Sequence, residues 1–434
     1  MKIVRIIARL NVGGPARHVV WLTRELQGEE FRSVLLTGTV PPGEEDMGYF
    51  AEENGVEPVF IEEMSRELSL RDAVSLWKIY RQIRREKPDI IHTHTAKAGT
   101  VGRMAGFIYR WLTPGTLVGR PRPLRLIHTY HGHVFHSYYG PLKTNFFLFI
   151  EKTLARLATD KIVVISRRQF EEIHDRFGVG RADQFAVIPL GIDLDPFDRT
   201  EESRKILRRE IGAADEEVVV GLIGRLTEVK NIGLLLKTAG ICRDQKKIDS
   251  PRLRFVIIGD GHLRKELEDR AGALKLGESV QFLGNRNDPE VFYAGLDIVA
   301  LTSRNEGTPL SLIEAMAGKK AVISTTVGGV PDLLGPVEAE KNGFSVCQRG
   351  LGVASDDAEG LYRGIIRLAE DRQLRQSLGE SGREFVVRNY SRDRLVKDIK
   401  NLYLNVTGTD QKEKELAENE RFSPRARSAS GNGE

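Results

Sequence analysis

The stretch EVVVGLIGRLTEVKNIGLLLKTAG, from Glu217 to Gly240, decides the fold class. Its first ten residues, EVVVGLIGRL, are mostly apolar and rich in valine, the pattern of a strand covered on both faces. Gly224 supplies a turn near the end of that run. From Asn231 onward, NIGLLLKTAGICRDQ reads as a helix. Strand, glycine turn and helix make one βα unit, and a row of such units makes a parallel sheet with helices on both faces.

The alternation extends in both directions. Upstream, KIVRIIARL, FRSVLLTG, VEPVFI, PDIIHTH, PLRLIHTYHG and KIVVIS read as strands. Between them, ARHVVWLTRELQ, LRDAVSLWKIYRQIRREK and FFLFIEKTLARLATD read as helices. The pattern pauses in FAVIPLGIDLDPFDRT and restarts near Gly191. Downstream, LRFVIIGDG, SVQFLG, DIVALTS and KAVIST are strands, with HLRKELEDRAGALKLG a helix. The expectation is an α/β chain with two doubly wound, Rossmann-like domains, residues 1–190 and 191–390, facing a central cleft. SRDRLVKDIKNLYLNV, residues 391–406, reads as a late helix. Residues 407–434 are polar and charged with few large apolar groups, the composition of a disordered tail.

At 434 residues the chain is too long for one core, and two domains are the default. Hydrophobic residues make up 40% and charged residues 29%, an ordinary soluble balance. Cys242 and Cys347 form no CxxC pair, which suits a reducing cytosol. Arg5 and Arg9 interrupt the apolar N-terminal run, so it does not read as a signal sequence. No run approaches the roughly 20 apolar residues that span a bilayer. The expectation is a cytoplasmic protein, soluble or attached to the membrane's inner surface, with no nucleic-acid partner.

Charge is unevenly spread. Residues 1–190 carry 27 Lys+Arg against 21 Asp+Glu, and the remainder 38 against 40. From Ile90 to Ile150 there is no Asp or Glu, yet the stretch holds Lys97, Arg103, Arg110, Arg120, Arg122, Arg125 and Lys143. Phe107, Tyr109, Trp111, Phe146, Phe147 and Phe149 are interleaved with them. That combination suits an anionic membrane surface. The bland alternative is a chance run around a buried strand pair.

Ligands of doubly wound sheets bind beyond the carboxyl ends of the strands, so the loops there carry the search. After the first strand, NVGGPARHV places Gly13 and Gly14 at a strand-to-helix turn, which either serves a close ligand approach or is only a tight turn. GRLTEVKN sets Arg225 and Lys230 between a strand and a helix, a placement that suits a diphosphate. DLD, Asp193–Asp195, reads as structural rather than as a metal site. His92 and His94 end one strand; His128, His131 and His133 end the next. No third ligand follows His92 and His94 at ligand spacing, so a metal is not expected. At least one of these imidazoles is expected to bond a polar ligand. In RNEGTPLSLIEAMAG, Glu306 sits in a loop, Thr308-Pro309 opens a helix, and Glu314 lies about one turn into it. Two carboxylates so placed can grip two separate sets of hydroxyls.

In order along the chain, GGPARHV, HTHTAKAGTVGR, HTYHGHVF, VIS, VIPLGID, GRLTEVKN, IGDG, FLGNR, NEGTPLSLIEAMA and VGGVPDL resemble the retaining glycosyltransferases of family four, which have the GT-B fold. The resemblance covers about residues 1–405. It implies a nucleotide-sugar donor, UDP-linked in most of the family, held mainly by the second domain without a metal cofactor. By the same resemblance, Arg225 and Lys230 would bind the diphosphate, Glu314 the ribose hydroxyls, and Glu306 the transferred sugar. Gly307, Thr308, Pro309 and Leu310 would lie by the sugar and phosphates, and Arg286 near the base. From the first domain, Gly13 and Gly14 would approach the diphosphate and His131 the sugar, while residues 391–406 would cross back to that domain. A polyprenyl-diphosphate-linked saccharide or another carbohydrate would accept the sugar. The rival readings are a GT-B nucleotide-sugar epimerase and a non-catalytic carbohydrate-binding protein. A dinucleotide oxidoreductase lacks its GxGxxG fingerprint here.

Overall fold

In the computed structural model the N-terminal apolar run forms β1 (Lys2–Arg9). It is followed by β2 (Arg32–Gly38), β3 (Val59–Phe60), β4 (Ile90–His94), β5 (Arg125–Tyr130), β6 (Lys161–Val164) and β7 (Phe185–Val187). The structure describes residues 1–11, 13–41, 46–64, 71–132, 141–198, 201–245 and 251–408. The expected tail therefore lies, from residue 409, outside the described residues, as does His133. The seven strands pair in parallel in the order β3-β2-β1-β4-β5-β6-β7. β3 is shorter than VEPVFI suggests. Pro58 has no backbone N–H to give the ladder, and only Val59 and Phe60 pair with β2.

Side chains alternate across β1 as a strand requires. Val4 and Ile6 join a cluster with Ile79 and Ile83 of helix α2 (Arg71–Glu86) and with Val101 and Ala105 of α3 (Ala96–Trp111). Leu154 of α4 (Pro141–Leu157) joins the same cluster, so these three helices cover one face of the sheet. Ile3 faces the other side, with Leu22 of α1 (Gly14–Glu25).

The second sheet contains β8 (Val218–Ile223), β9 (Leu253–Ile258), β10 (Val280–Gly284), β11 (Ile298–Leu301), β12 (Ala321–Thr325), β13 (Val337–Lys341), β14 (Phe344–Cys347) and β15 (Gly350–Val353). Their order is β10-β9-β8-β11-β12-β15-β14-β13. The apolar run of the 217–240 stretch is thus the central strand β8, and its helical half is α5 (Ile232–Asp244). β14 pairs antiparallel with both β13 and β15, an edge absent from the parallel expectation. Exposed Glu338, Glu340 and Lys341 suit that edge, since charged side chains discourage further strand pairing. Helix α6 is Leu310–Ala317, followed later by α7 (Ala358–Glu370) and α8 (Arg372–Tyr390). The last two also went unread, although each opens on an N-cap aspartate. Asp357 accepts from Gly360 N at 2.8 Å and Asp371 from Leu374 N at 2.9 Å.

By contacts the chain divides into Met1–Leu190 with Leu395–Glu434, and Gly191–Arg394. The final helix α9 (Arg392–Thr407) supplies the returning segment: Leu395, Ile399, Leu402 and Tyr403 are buried with Ile3, Leu22, Ile90 and Ile127. Among the described residues no helix is long and apolar enough to cross a membrane.

The carboxylate-free stretch is less cationic than its composition suggests, because partners come from outside it. Lys97 pairs with Asp72 at 2.7 Å and the fully buried Arg103 with Glu151 at 2.6 Å. Arg110 and Arg125 share Asp160, at 2.8 and 3.5 Å. Arg122 donates to the Tyr109 carbonyl at 2.7 Å.

Candidate active site

Each sheet reverses its strand order beside a central strand, at β1/β4 in the first unit and β8/β11 in the second. The carboxyl ends of those strands are where such sheets hold ligands.

In the second unit, β8 runs into Gly224, the exposed Arg225 and a single 3-10 turn, Glu228–Lys230. β11 runs into buried Thr302 and Ser303, then Glu306. Hydrogen bonds tie the two loops together. The Thr302 hydroxyl donates to the Lys230 carbonyl at 2.8 Å, and Lys230 Nζ lies 2.6 Å from Glu306 Oε1. The Ser303 hydroxyl donates to the same carboxylate oxygen at 2.5 Å. The backbone at Glu306 is backed by a third loop. A Cβ on Gly328 would sit 1.7 Å from the Glu306 carbonyl oxygen, and φ there is +61°. Gly329 N donates to the carbonyls of Glu306, at 3.2 Å, and Gly307, at 3.0 Å. Only glycine at 328 lets these loops approach so closely.

Helix α6 begins at Leu310, with Pro309 as its extended cap rather than its first turn. Gly307 and Thr308 lie in the approach to it, and Glu314 is half-buried within it. The Tyr293 hydroxyl lies 2.9 Å from Glu314 Oε2 and 3.1 Å from the Ser311 carbonyl. Glu306 and Glu314 are therefore held by different partners on different elements. Arg286 has other company: its guanidinium meets Asp288 at 2.6 Å and Glu210 at 2.6 Å. Those hydrogen bonds and charges push its pKa further up. Asp193 accepts from Asp195 N at 3.3 Å and lies 3.4 Å from Arg392, a local brace.

In the first unit Gly13 precedes α1 and Gly14 opens it. His131, half-buried after β5, places Nε2 at 2.9 Å from Nδ1 of His94 at the end of β4. His92 is fully buried, 2.6 Å from the Tyr403 hydroxyl and 2.7 Å from Thr129 Oγ1. His128 is buried 2.9 Å from Thr93 Oγ1. Burial lowers the pKa of His131 to about 4, and it holds His92, His94 and His128 well below the usual imidazole value. All four are neutral at pH 7.

The spacing argument against a third imidazole fails. His18, from α1, joins His94 and His131, and their ring nitrogens lie within 4.8 Å of one another. A residue so distant in sequence leaves no spacing signal. A metal ion held there would have to replace the His94–His131 hydrogen bond. Sequence reading also missed Tyr293 and Ser303, whose types carry no signal without the fold, and left Gly328 as one letter of the VGGVPDL motif.

Residues 12–196 match the family described as Glycosyltransferase Family 4, and residues 203–385 match Glycosyl transferases group 1. The UDP-Gal:alpha-D-GlcNAc-diphosphoundecaprenol alpha-1,3-galactosyltransferase of Escherichia coli is 26% identical, over 82% of this chain and 85% of its own length. The capsular polysaccharide biosynthesis glycosyltransferase CapM of Staphylococcus aureus is 24% identical over 78% of this chain and 83% of its own. Among solved structures, Anabaena HepE in complex with UDP superposes with a TM-score of 0.72 at 21% identity, covering 93% of this chain and 99% of that one. At that identity the likeness carries the fold, GT-B, and nothing finer.

Proposed function

The chain belongs to the retaining glycosyltransferases of family four and moves a sugar from a nucleotide-sugar donor; from that premise we propose that the donor is UDP-linked and the acceptor a saccharide on a polyprenyl diphosphate. The setting would be cell-surface polysaccharide synthesis on the inner face of the membrane. The observation that carries this reading is the pair of anchored carboxylates, Glu306 on Lys230 and Glu314 on Tyr293, at the switch point of the second sheet. The named donor and acceptor of the Escherichia coli relative support it.

In this reading Arg225, Lys230 and the backbone of Gly307–Leu310 receive the diphosphate. Glu314 accepts hydrogen bonds from the ribose and Glu306 from the transferred sugar. Gly13 and Gly14 admit the diphosphate closely, and neutral His131 hydrogen-bonds the sugar. Arg286, already engaged by Glu210 and Asp288, braces the FLGNR turn while the turn's backbone serves the base.

The chemistry follows from charge. As the anomeric C–O bond breaks, negative charge grows on the leaving diphosphate, and cations fixed beside it stabilise that charge most in the transition state. Lys230 is pre-positioned by Glu306 for this. Glu306 in turn is engaged by an ammonium and a hydroxyl, which makes its carboxylate a weak nucleophile. A front-face path suits that arrangement: the acceptor oxygen bonds the anomeric carbon, and the leaving phosphate oxygen takes the acceptor's proton. Arg225 and Lys230 can do a divalent ion's work at the diphosphate, so transfer is expected to persist in a chelator.

The test is turnover with a panel of nucleotide sugars, with and without a polyprenyl-diphosphate-linked saccharide. Product formed only when a UDP-sugar and the acceptor are both present supports the reading. Conversion of donor alone would make the protein an epimerase, and preference for another nucleotide would overturn the UDP assignment.

A further inference from the structure

Six of the twelve exposed large apolar side chains among the described residues of the first unit lie on one helical layer. Val74 and Trp77 on α2, Met104 on α3, and Phe146, Phe149 and Leu157 on α4 are between 41% and 67% exposed. α2, α3 and α4 cover the same face of the sheet, so their outer sides belong to one surface. The described part of the second unit exposes only aliphatic large side chains, Ile206, Val229, Val337 and Val387. The outward stripe of α4 is unusual for a surface helix, which normally turns polar residues to water. Phe146, Phe149, Lys152, Arg156 and Leu157 follow one another along it at helical spacing.

The exposed charges on this layer have one sign among the described residues: Arg81, Arg84, Arg85, Lys152 and Arg156. Among the described residues of the three helices no carboxylate is exposed: Asp72 and Glu86 are half-buried and Glu151 is buried. Arg81 lies over the Trp77 ring at 4.6 Å. In the Arg110–Arg125 region, by contrast, Asp160 pairs with both Arg110 and Arg125.

We propose that the outer surface of α2, α3 and α4 docks on an anionic lipid bilayer. Aromatic rings and aliphatic side chains enter the interface while the cations meet lipid phosphates. Charge complementarity selects this occupant over a second copy of the chain, since self-pairing would set cation against cation. The proposal deepens the reading of a membrane-borne acceptor, because docking confines the enzyme to the plane where such an acceptor lies.

The test is co-sedimentation of the full chain, without donor or acceptor, on phosphatidylcholine vesicles with and without about one-third phosphatidylglycerol. Binding to the anionic vesicles that weakens as salt rises is the expected result. The double variant Lys152→Glu/Arg156→Glu should bind about tenfold more weakly or worse. Phe146→Ser/Phe149→Ser should lose binding comparably, with circular dichroism unchanged. Wild-type protein that ignores anionic vesicles at low salt overturns the proposal, and so does a charge-reversed variant that binds as tightly as wild type. A dimer in light scattering, abolished by Phe146→Ser/Phe149→Ser without any vesicle binding, would give the surface to a second copy instead. Vesicle binding without transfer to lipid-linked saccharides would sink the acceptor reading alone and leave the docking face standing.

Discussion

Glu306 and Glu314 differ in what holds them, and that difference predicts how their variants separate. Glu314 is oriented by Tyr293, so Glu314→Ala should weaken UDP binding about tenfold or more. Tyr293→Phe, which loses one hydrogen bond, should weaken it by about 1 kcal/mol. Glu306→Ala leaves Lys230 without its 2.6 Å partner and free for phosphate. UDP should then bind as tightly as to wild type or tighter while transfer falls, a split that calorimetry and turnover read separately. Equal loss of UDP affinity in Glu306→Ala and Glu314→Ala would contradict it. Lys230→Ala should lower kcat/KM by about a hundredfold. The histidines at the ends of β4 and β5 carry a second prediction. Their folded pKa values lie below the unfolded value, about 4 for His131. Between those values the unfolded chain binds more protons than the folded one. Stability is therefore complete above the unfolded pKa of about 6.5 and falls as pH drops toward 4, by up to about 1.4 kcal/mol per pH unit for each such histidine. Thermal melts at pH 5 and 7 check this, and a melting temperature higher at pH 5 would refute it.

Elements were legible where their residues announce them locally. β8 and α5 could be read from the 217–240 stretch because an apolar run, a turn glycine and a helical run follow one another within it. β13 and β14 could not, because a short hairpin at the sheet edge, with most of β13 in water, has neither a long apolar run nor a clean alternation, and the buried β15 is only four residues long, two of them glycine. The carboxyl-end loops of β8 and β11 were legible as candidate site, since Arg225, Lys230, Glu306 and Glu314 stand at strand ends in the sequence itself. What holds them was not, because Tyr293, Ser303 and Gly328 acquire meaning only through contacts between elements. Gly328 tests this at the level of the loop. A methyl group there would meet the Glu306 carbonyl, and φ is unfavourable for any other residue. Gly328→Ala should therefore displace Glu306 and Lys230 together, lowering transfer about as far as Lys230→Ala while changing the global melt little. Retained turnover would show that the loop yields without moving the carboxylate.

At the scale of the whole chain, α9 couples residues 395–403 to the first strand. Leu395, Ile399, Leu402 and Tyr403 lie in one cluster with Ile3, Ile90 and Ile127, and each fully buried side chain of that size contributes about 1.5–3 kcal/mol. Tyr403 does more than fill space. Its hydroxyl lies 2.6 Å from His92 Nδ1 and 3.4 Å from Arg5 Nη2, both fully buried. His92 in turn stacks on His94 with ring centroids 4.2 Å apart, and His94 is the partner of His131. Ending the chain after Tyr390 removes the helix and strands these groups together. Summed burial from four side chains approaches the whole stability of a typical domain, so the first unit should fail to fold. The second unit, which contains no residue beyond Arg394, should keep its donor loops. UDP at about 100 times its Kd should still stabilise that unit by about 2.7 kcal/mol. Calorimetry of the truncated chain decides the matter: one UDP-sensitive transition is the expected trace, and full activity would show that the first unit stands without its last helix. Tyr403→Phe is the milder probe. It keeps the ring and removes the hydroxyl, leaving His92 Nδ1 and Arg5 short of a partner at a cost of about 1–3 kcal/mol. The loss should appear as a lower melting temperature with UDP affinity unchanged, because every residue proposed to grip the nucleotide's ribose and base belongs to the other unit.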